Sequence, residues 1–496
     1  MLDYGAGNVR SLLNALAAVG CEVEIIETVE QITKARVLIF PGVGSFGACM
    51  EQIERRGWSA ALRAYVRADR PYFGICLGMQ TLFEASEETP GVAGLGVLPG
   101  TVGRFSPGSA GLAVPQIGWN GINQQQPSGL LVGVQPSDAV YFVHSFRAAY
   151  VDAIKPWALT TTDYGERYVS SVQRGRVMAC QFHPEKSGTV GLTILRNFVA
   201  GALADTPARP PPLPPHAAMA APTRFCQRII PALDVRANDA GDLVVTKGDQ
   251  YDVREKSSDG RAVRNLGKPV QLAKRYYEQG ADEITFLNIT GFRDCPLTDM
   301  PMIDLIVEAS KEIFVPLTVG GGIRGFVDST GKESSALQVA DAYFRAGADK
   351  ISIGSDAVDV AKKYMQSGVA DGSSSIEQIS HKYGRQAVVV SIDPRRRWAP
   401  RAHTVCMHTR ACMHALSSLH ASRIRSWIRV TVRGTGICTR LHALVCMHPG
   451  SAHGSVSRCV VQAYAHVCMR SPLCMHPGAA HGSVSRCVVQ VGPLGR

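Results

Sequence analysis

No run of eighteen apolar residues occurs anywhere in the 496-residue chain, so no membrane-spanning helix is expected. No basic-then-apolar leader and no Arg/Ser-rich amphipathic segment precedes the first motif. Met1 falls inside what should be a first strand, and the expectation is that the true start, with any targeting leader, lies upstream. Residues 401–496 contain no lysine, aspartate or glutamate. They do contain eleven arginines, which account for the whole net charge of +11; residues 1–400 hold 41 basic and 41 acidic side chains. The balanced part speaks against a nucleic-acid partner. Cysteine is scarce outside the same tail. Residues 21, 49, 76, 180, 226 and 295 are the remaining six, without disulfide or zinc spacing, which suits a reducing compartment.

What is present centres on Pro71-Tyr-Phe-Gly-Ile-Cys-Leu-Gly-Met-Gln80. It predicts a buried strand over 72–75 running into a helix over 77–83, with Cys76 at the corner between Gly74 and Gly78. Gly-x-Cys-x-Gly is the thiol form of a nucleophile elbow. Small neighbours let a strained backbone push one side chain into a cleft, and a helix N-terminus beside the sulfur favours thiolate. Alone, Cys76 could equally be a buried structural thiol.

A second apolar strand, Arg176 to Phe182, ends in His183-Pro184-Glu185. Pro184 stops the strand, and His183 and Glu185 can project the same way from an extended segment. Taken singly, this is also a solvated turn. Together, a cysteine, a histidine and an orienting carboxylate have the logic of a thiol acyl-transfer triad. The strand 36–40 ends in Pro41-Gly-Val-Gly44, a corner able to offer backbone N–H groups to an oxyanion.

These residues carry a resemblance. Residues 1–203 resemble the class I, triad-type glutamine amidotransferases, a doubly wound α/β fold. Leu2-Asp-Tyr-Gly-Ala-Gly-Asn8, Pro115-Gln-Ile-Gly-Trp-Asn120 and Val143-His-Ser145 are similar to the amidotransferase half of the imidazole glycerol phosphate synthases. The resemblance implies that Cys76, His183 and Glu185 are catalytic. It also implies that Gly42, Val43 and Gly44 form the oxyanion strand, and that Gln80, His144, Ser145 and Phe146 hold glutamine.

Seven prolines between Pro207 and Pro222 mark residues 204–224 as a semi-rigid polyproline linker. Beyond it, five short apolar strands alternate with helices: 228–235, 283–289, 315–320, 350–354 and 387–393. Gly280-Ala-Asp282 and Gly347-Ala-Asp349 repeat one helix-to-strand joint, a hint of duplication. Repeated β-then-α units with functional residues at strand ends describe part of a (β/α)8 barrel over 225–398. Asp234 and Asp393 close strands one and five and suit an acid and base pair. Helix capping is the plainer reading of each. Gly320-Gly-Gly-Ile-Arg324 and Gly354-Ser355 offer N–H groups to a phosphate, and Lys247 sits in a polar loop that could act as a lid.

This half resembles the cyclase of the same family, in the fused order of its eukaryotic members. The resemblance implies Asp234 and Asp393 as the acid/base pair, and Gly322, Gly354 and Ser355 as one of two phosphate sites. It implies Arg228, Glu283 and Lys350 as a charged ammonia gate at the opposite mouth, with Asp349 facing Lys186. The substrates implied are glutamine and a phosphoribosyl-type bisphosphate; no metal or organic cofactor is implied. A monomer is expected, working inside the cell, in the plastid stroma for a plant or algal host and otherwise in the cytosol.

After Trp398 the barrel pattern stops. Cys446–Gln462 recurs at Cys474–Gln490 with one change in seventeen positions. Residues 399–496 are expected to be disordered and foreign to the fold, and cyclase turnover is expected to be lost with the later strands. Two other readings stay open: an amidotransferase serving another synthase, fused to a sugar-phosphate isomerase fragment, or an inactive fragment whose Cys/His tail binds metal.

Overall fold

The structure, a computed structural model, describes residues 1–5, 8–42, 44–106, 112–204, 222–237, 242–246, 268–289 and 300–392, without the Ser355 side chain. Of 427–432, 439–446 and 460–467 it describes the backbone alone. Val43, Lys247, Asp393 and most of the proline-rich linker lie outside the described residues.

The first half is built on three parallel strands, Leu38–Gly42, Tyr72–Cys76 and Val177–Cys180. Side chains alternate across a strand, and the two faces go to different cores. Leu38, Phe40 and Tyr72 pack with Met50, Ile53, Trp58 and Leu62 of the helices Phe46–Arg55 and Trp58–Arg67. Ile39, Phe73 and Ile75 pack with Leu12, Leu16, Ile194 and Phe198 of the helices Val9–Ala18 and Gly188–Leu203. Phe73 and Phe198 stack at 4.7 Å. Helices therefore cover both faces of the parallel centre, as a doubly wound sheet requires. Each fully buried side chain of this size contributes about 1.5–3 kcal/mol. Past Val177–Cys180 the sheet turns antiparallel, through Arg167–Arg174, Phe146–Ala149 and Leu98–Arg104.

The second half sets five parallel strands side by side: Ala232–Ala237, Ile284–Asn288, Leu317–Gly320, Lys350–Ile353 and Val388–Ile392. Their helix-facing residues, among them Leu233, Phe286, Val319 and Ile351, share one core with the intervening helices. The first strand begins later than the sequence suggests. Pro231 has no N–H to give a ladder, so Arg228 lies before the strand rather than in it. The strand also runs on to Ala237, pairing antiparallel with Leu243–Thr246. Asp234, opposite Thr246, is thus inside a strand and not at its end.

The sequence reading places no strand after residue 398. The described backbone adds three: Trp427–Val432 parallel to Val388–Ile392, then Thr439–Cys446 and Val460–Val467 antiparallel. Runs such as Trp-Ile-Arg-Val-Thr-Val favour strands, and the free edge of Val388–Ile392 offers unpaired backbone groups to them.

The halves meet along the helix Val9–Ala18. Asn8 Nδ2 donates to the Gly347 carbonyl at 2.8 Å and to Asp349 Oδ1 at 2.9 Å. Arg10 Nε donates to the Arg345 carbonyl, and Asn14 Nδ2 to Ser310 Oγ. Trp119 Nε1 donates to the Asp282 carbonyl at 3.1 Å. Among the described residues no helix is long and apolar enough to cross a membrane.

Candidate active site

Cys76 takes φ of 52° and ψ of −104°, in a region that few non-glycine residues occupy. The flanking glycines are required by space. A Cβ on Gly78 would lie 2.0 Å from the Phe40 carbonyl oxygen, and one on Gly74 2.6 Å from that of Gly78. The elbow predicted from Gly-x-Cys-x-Gly is therefore present. The helix after it is shorter than predicted. It spans only Leu77–Gln80, because Phe83–Ser86 is already a strand of the main sheet. One turn supplies little macrodipole.

His183 and Glu185 come together, though not from an extended segment. Pro184 opens a single 3-10 turn, Pro184–Lys186, which folds the glutamate back onto the ring. Glu185 Oε1 lies 2.8 Å from His183 Nδ1. This fixes the tautomer with Nε2 turned to the cavity, where it has no hydrogen-bond partner among the described residues. Burial works against a charged ring, but the Glu185 carboxylate and the Cys76 sulfur outweigh it and hold the His183 pKa well above its usual value. The Cys76 sulfur therefore stands beside the His183 ring.

Cys76, His183 and Glu185 line one cavity with Gly44, Gln80, His144, Ser145 and Phe146. The structure so gathers every described residue assigned to glutamine except Gly42. Gly42 sits in register with Cys76, one strand over, against Leu77. Burial pushes the His144 pKa down to about 3, and its neutral ring stands 2.8 Å from the Phe146 carbonyl. Two residues went unremarked in the sequence. Glu88 is a carboxylate in the same wall, with its pKa raised by burial, and it accepts from the Phe46 N–H. Gln181 donates to the Cys76 sulfur at 3.5 Å. Glu88 stands in no string singled out above, and Gln181 stands in the strand leading to His183 without a role read from it.

The cavity continues to the second half, where Asp349, Lys350, Tyr383 and Gln386 complete its wall. Lys186 Nζ stands 2.6 Å from Asp349 Oδ2, the pairing expected from sequence. Just beyond, Glu283 takes Lys350 Nζ at 2.6 Å and Arg228 at 3.1 Å, and accepts from Thr318 Oγ1 at 2.7 Å. Burial opposes the Glu283 charge, but Lys350 and Arg228 more than offset it and hold its pKa below the usual range. Lys350 also lies 5.6 Å from the centre of the Tyr141 ring, which belongs to the first half. Arg228, Glu283 and Lys350 are therefore one buried cluster at the junction; Thr318 is a member that sequence reading missed.

At the other end of the parallel strands, Gly321 and Gly322 have φ of 91° and 75°, and a Cβ on Gly321 would sit 2.0 Å from the Asn288 carbonyl oxygen. Gly354 caps the helix Ser355–Ser367. With Asp393 and Lys247 outside the described residues, the acid pair and the lid are represented here by Asp234 alone.

Residues 1–202 match the family described as glutamine amidotransferase class-I, and residues 228–423 the family described as histidine biosynthesis protein. The chloroplastic imidazole glycerol phosphate synthase hisHF of Arabidopsis thaliana is 57% identical over 396 residues, covering 80% of this chain and 65% of that protein. The hisHF protein of Emericella nidulans is 48% identical over 407 residues, covering 80% and 72%. The imidazole glycerol phosphate synthase subunit HisH of Deinococcus radiodurans is 44% identical over 198 residues, 40% of this chain and 91% of that one. The chain thus spans 65% of the length of the Arabidopsis relative and 72% of the Emericella one. With both halves matched in this order, the chain belongs to the imidazole glycerol phosphate synthase hisHF family.

Proposed function

We propose that this chain hydrolyses glutamine at Cys76 and delivers the ammonia to the second half for the family's cyclisation. His183, oriented by Glu185, takes the Cys76 proton. The thiolate attacks the glutamine carboxamide, the oxyanion meets N–H groups of the Gly42–Gly44 corner, and His183 protonates the departing ammonia. Water then cleaves the thioester to glutamate. Gln80, His144 and the 145–146 backbone hold the substrate, and Glu88 is suited to its ammonium.

The observation that carries this reading is the shared cavity. The triad and Lys350 line the same space, so ammonia released at Cys76 emerges against the Arg228–Glu283–Lys350 cluster. Beyond that gate, Asp234 and Asp393 would serve as acid and base. Gly322, Gly354, Ser355 and Lys247 would hold a phosphoribosyl-formimino-aminoimidazole carboxamide ribonucleotide. The family's products would be imidazole glycerol phosphate and aminoimidazole carboxamide ribotide, a step expected to be lost here because the barrel pattern stops after Trp398. The protein acts as a monomer on small molecules, in the plastid stroma of a plant or algal host or in the cytosol of another.

Incubating the purified chain with glutamine and this nucleotide tests both steps at once. Glutamate that disappears in Cys76→Ala is the expected result for the first half. Imidazole glycerol phosphate formed in step with it extends the reading to the second. A chain that releases no glutamate from glutamine contradicts the proposal.

A further inference from the structure

The Cys76 sulfur has a neighbour besides the histidine. Gln181 lies just past the strand Val177–Cys180 and is fully buried. Its backbone N–H is tied to the Ser170 carbonyl at 2.9 Å. A carboxamide fits a pocket either way round, so its partners must decide which end faces the sulfur. Here they do. The Phe146 carbonyl can only accept, so the Gln80 atom 3.1 Å from it is the NH2 group. That NH2 lies 3.0 Å from Gln181, and the atom it meets there must be the carbonyl oxygen. The end left facing Cys76, 3.5 Å from Sγ, is the Gln181 NH2, which can donate and cannot accept.

A donor held against sulfur discriminates between the two forms of a cysteine. The thiolate accepts a charge-assisted hydrogen bond, which is about twice as strong as a neutral one; the thiol is a poor acceptor. The one-turn helix does little for that charge, as argued above. We propose that Gln181 is a working member of the nucleophile assembly, its side-chain amide donating to the Cys76 sulfur and favouring thiolate over thiol. Gln80 and the Phe146 carbonyl hold that amide the right way round. The proposal deepens the glutaminase reading and rests on it for its consequence in catalysis.

The titratable groups that face Cys76 are His183, backed by Glu185, and the Cys180 thiol on the adjoining strand; His144 in turn faces His183. None is altered by substitution at 181, so a change in the titration of Cys76 reports on the amide. The test is the pH dependence of iodoacetamide alkylation in the full chain, with the Cys76 peptide followed by mass spectrometry. Gln181→Met keeps the volume and removes the donor. It should move the midpoint of alkylation upward by about one pH unit, slowing reaction about tenfold below that midpoint. Gln181→Glu, which sets a carboxylate against the sulfur, should move it further. A role in packing alone lowers the melting temperature and leaves the midpoint in place. An unmoved midpoint in folded Gln181→Met overturns the proposal. Should that variant fail to fold, Gln80→Leu takes its place. It frees the Gln181 carbonyl to turn and should give a smaller shift of the same sign; no shift there overturns the proposal equally. Failure of the glutaminase reading looks different. The wild-type chain would then release no glutamate although its alkylation midpoint still moves with residue 181.

Discussion

The chemistry proposed for Cys76 depends on which proton sits on which ring. Glu185 pins Nδ1 of His183, so Glu185→Gln should leave the fold intact and reduce kcat/KM for glutamine on the order of 10^4-fold, by allowing the wrong tautomer. Steady-state glutamate release measures this. The two buried histidines should also leave opposite marks on stability. His144 has a folded pKa of about 3 against an ordinary 6.5. Between those values the unfolded chain holds the proton and the folded one does not, so stability falls as pH drops through this window, by at most about 1.4 kcal/mol per unit. His183 is raised, so its contribution is full below the ordinary value and is lost as pH climbs toward the folded one. Urea midpoints against pH should show a flatter acid limb in His144→Gln and an unchanged alkaline limb. Cys76, His183 and Glu185 were legible in sequence because each stands in a short string with its own geometry. Gln181 was not, because its role is set by Gln80 and Phe146, and Gln80 is 101 residues away.

At the scale of elements, the elbow is held by steric necessity. Gly78→Ala pushes a methyl onto the Phe40 backbone, which cannot yield as a flexible side chain can. It should cost about 3 kcal/mol in equilibrium urea unfolding. The strand Tyr72–Cys76 was legible from its apolar run, and the helix after it was overextended. Met79 and Leu82 do recur at helical spacing, yet Phe83 pairs with Leu98 in the sheet and ends the helix early. Long-range pairing outweighed local periodicity. The same happened at Pro231, where a missing N–H shortens a strand that hydrophobicity alone would begin at Arg228, and at Ala237, where a hairpin partner lengthens it.

At the scale of the molecule, the two halves share one cavity and are locked beside it. Lys186 is buried and Asp349 nearly so, and Asp349 also accepts from Asn8 Nδ2 and the Leu317 N–H. Lys186→Met should therefore strand a carboxylate at the junction and cost about 3–5 kcal/mol. The double variant Lys186→Met with Asp349→Leu should recover much of that loss, a coupling measurable by a double-mutant unfolding cycle. The order of the halves was legible from the proline-rich linker and the change to repeated β-then-α units. The contacts between them were legible only where the resemblance named both partners. Central to the proposed function is that Cys76 takes the amide of glutamine in a cavity that also reaches the second half. A glutamine analogue with an electrophilic carbon in place of the amide tests that most directly, with the labelled peptide identified by mass spectrometry. The account predicts one label, on Cys76, with glutamine protecting against it and glutamate release falling in proportion. Label on another cysteine, or glutamate release that survives full labelling of Cys76, would contradict it.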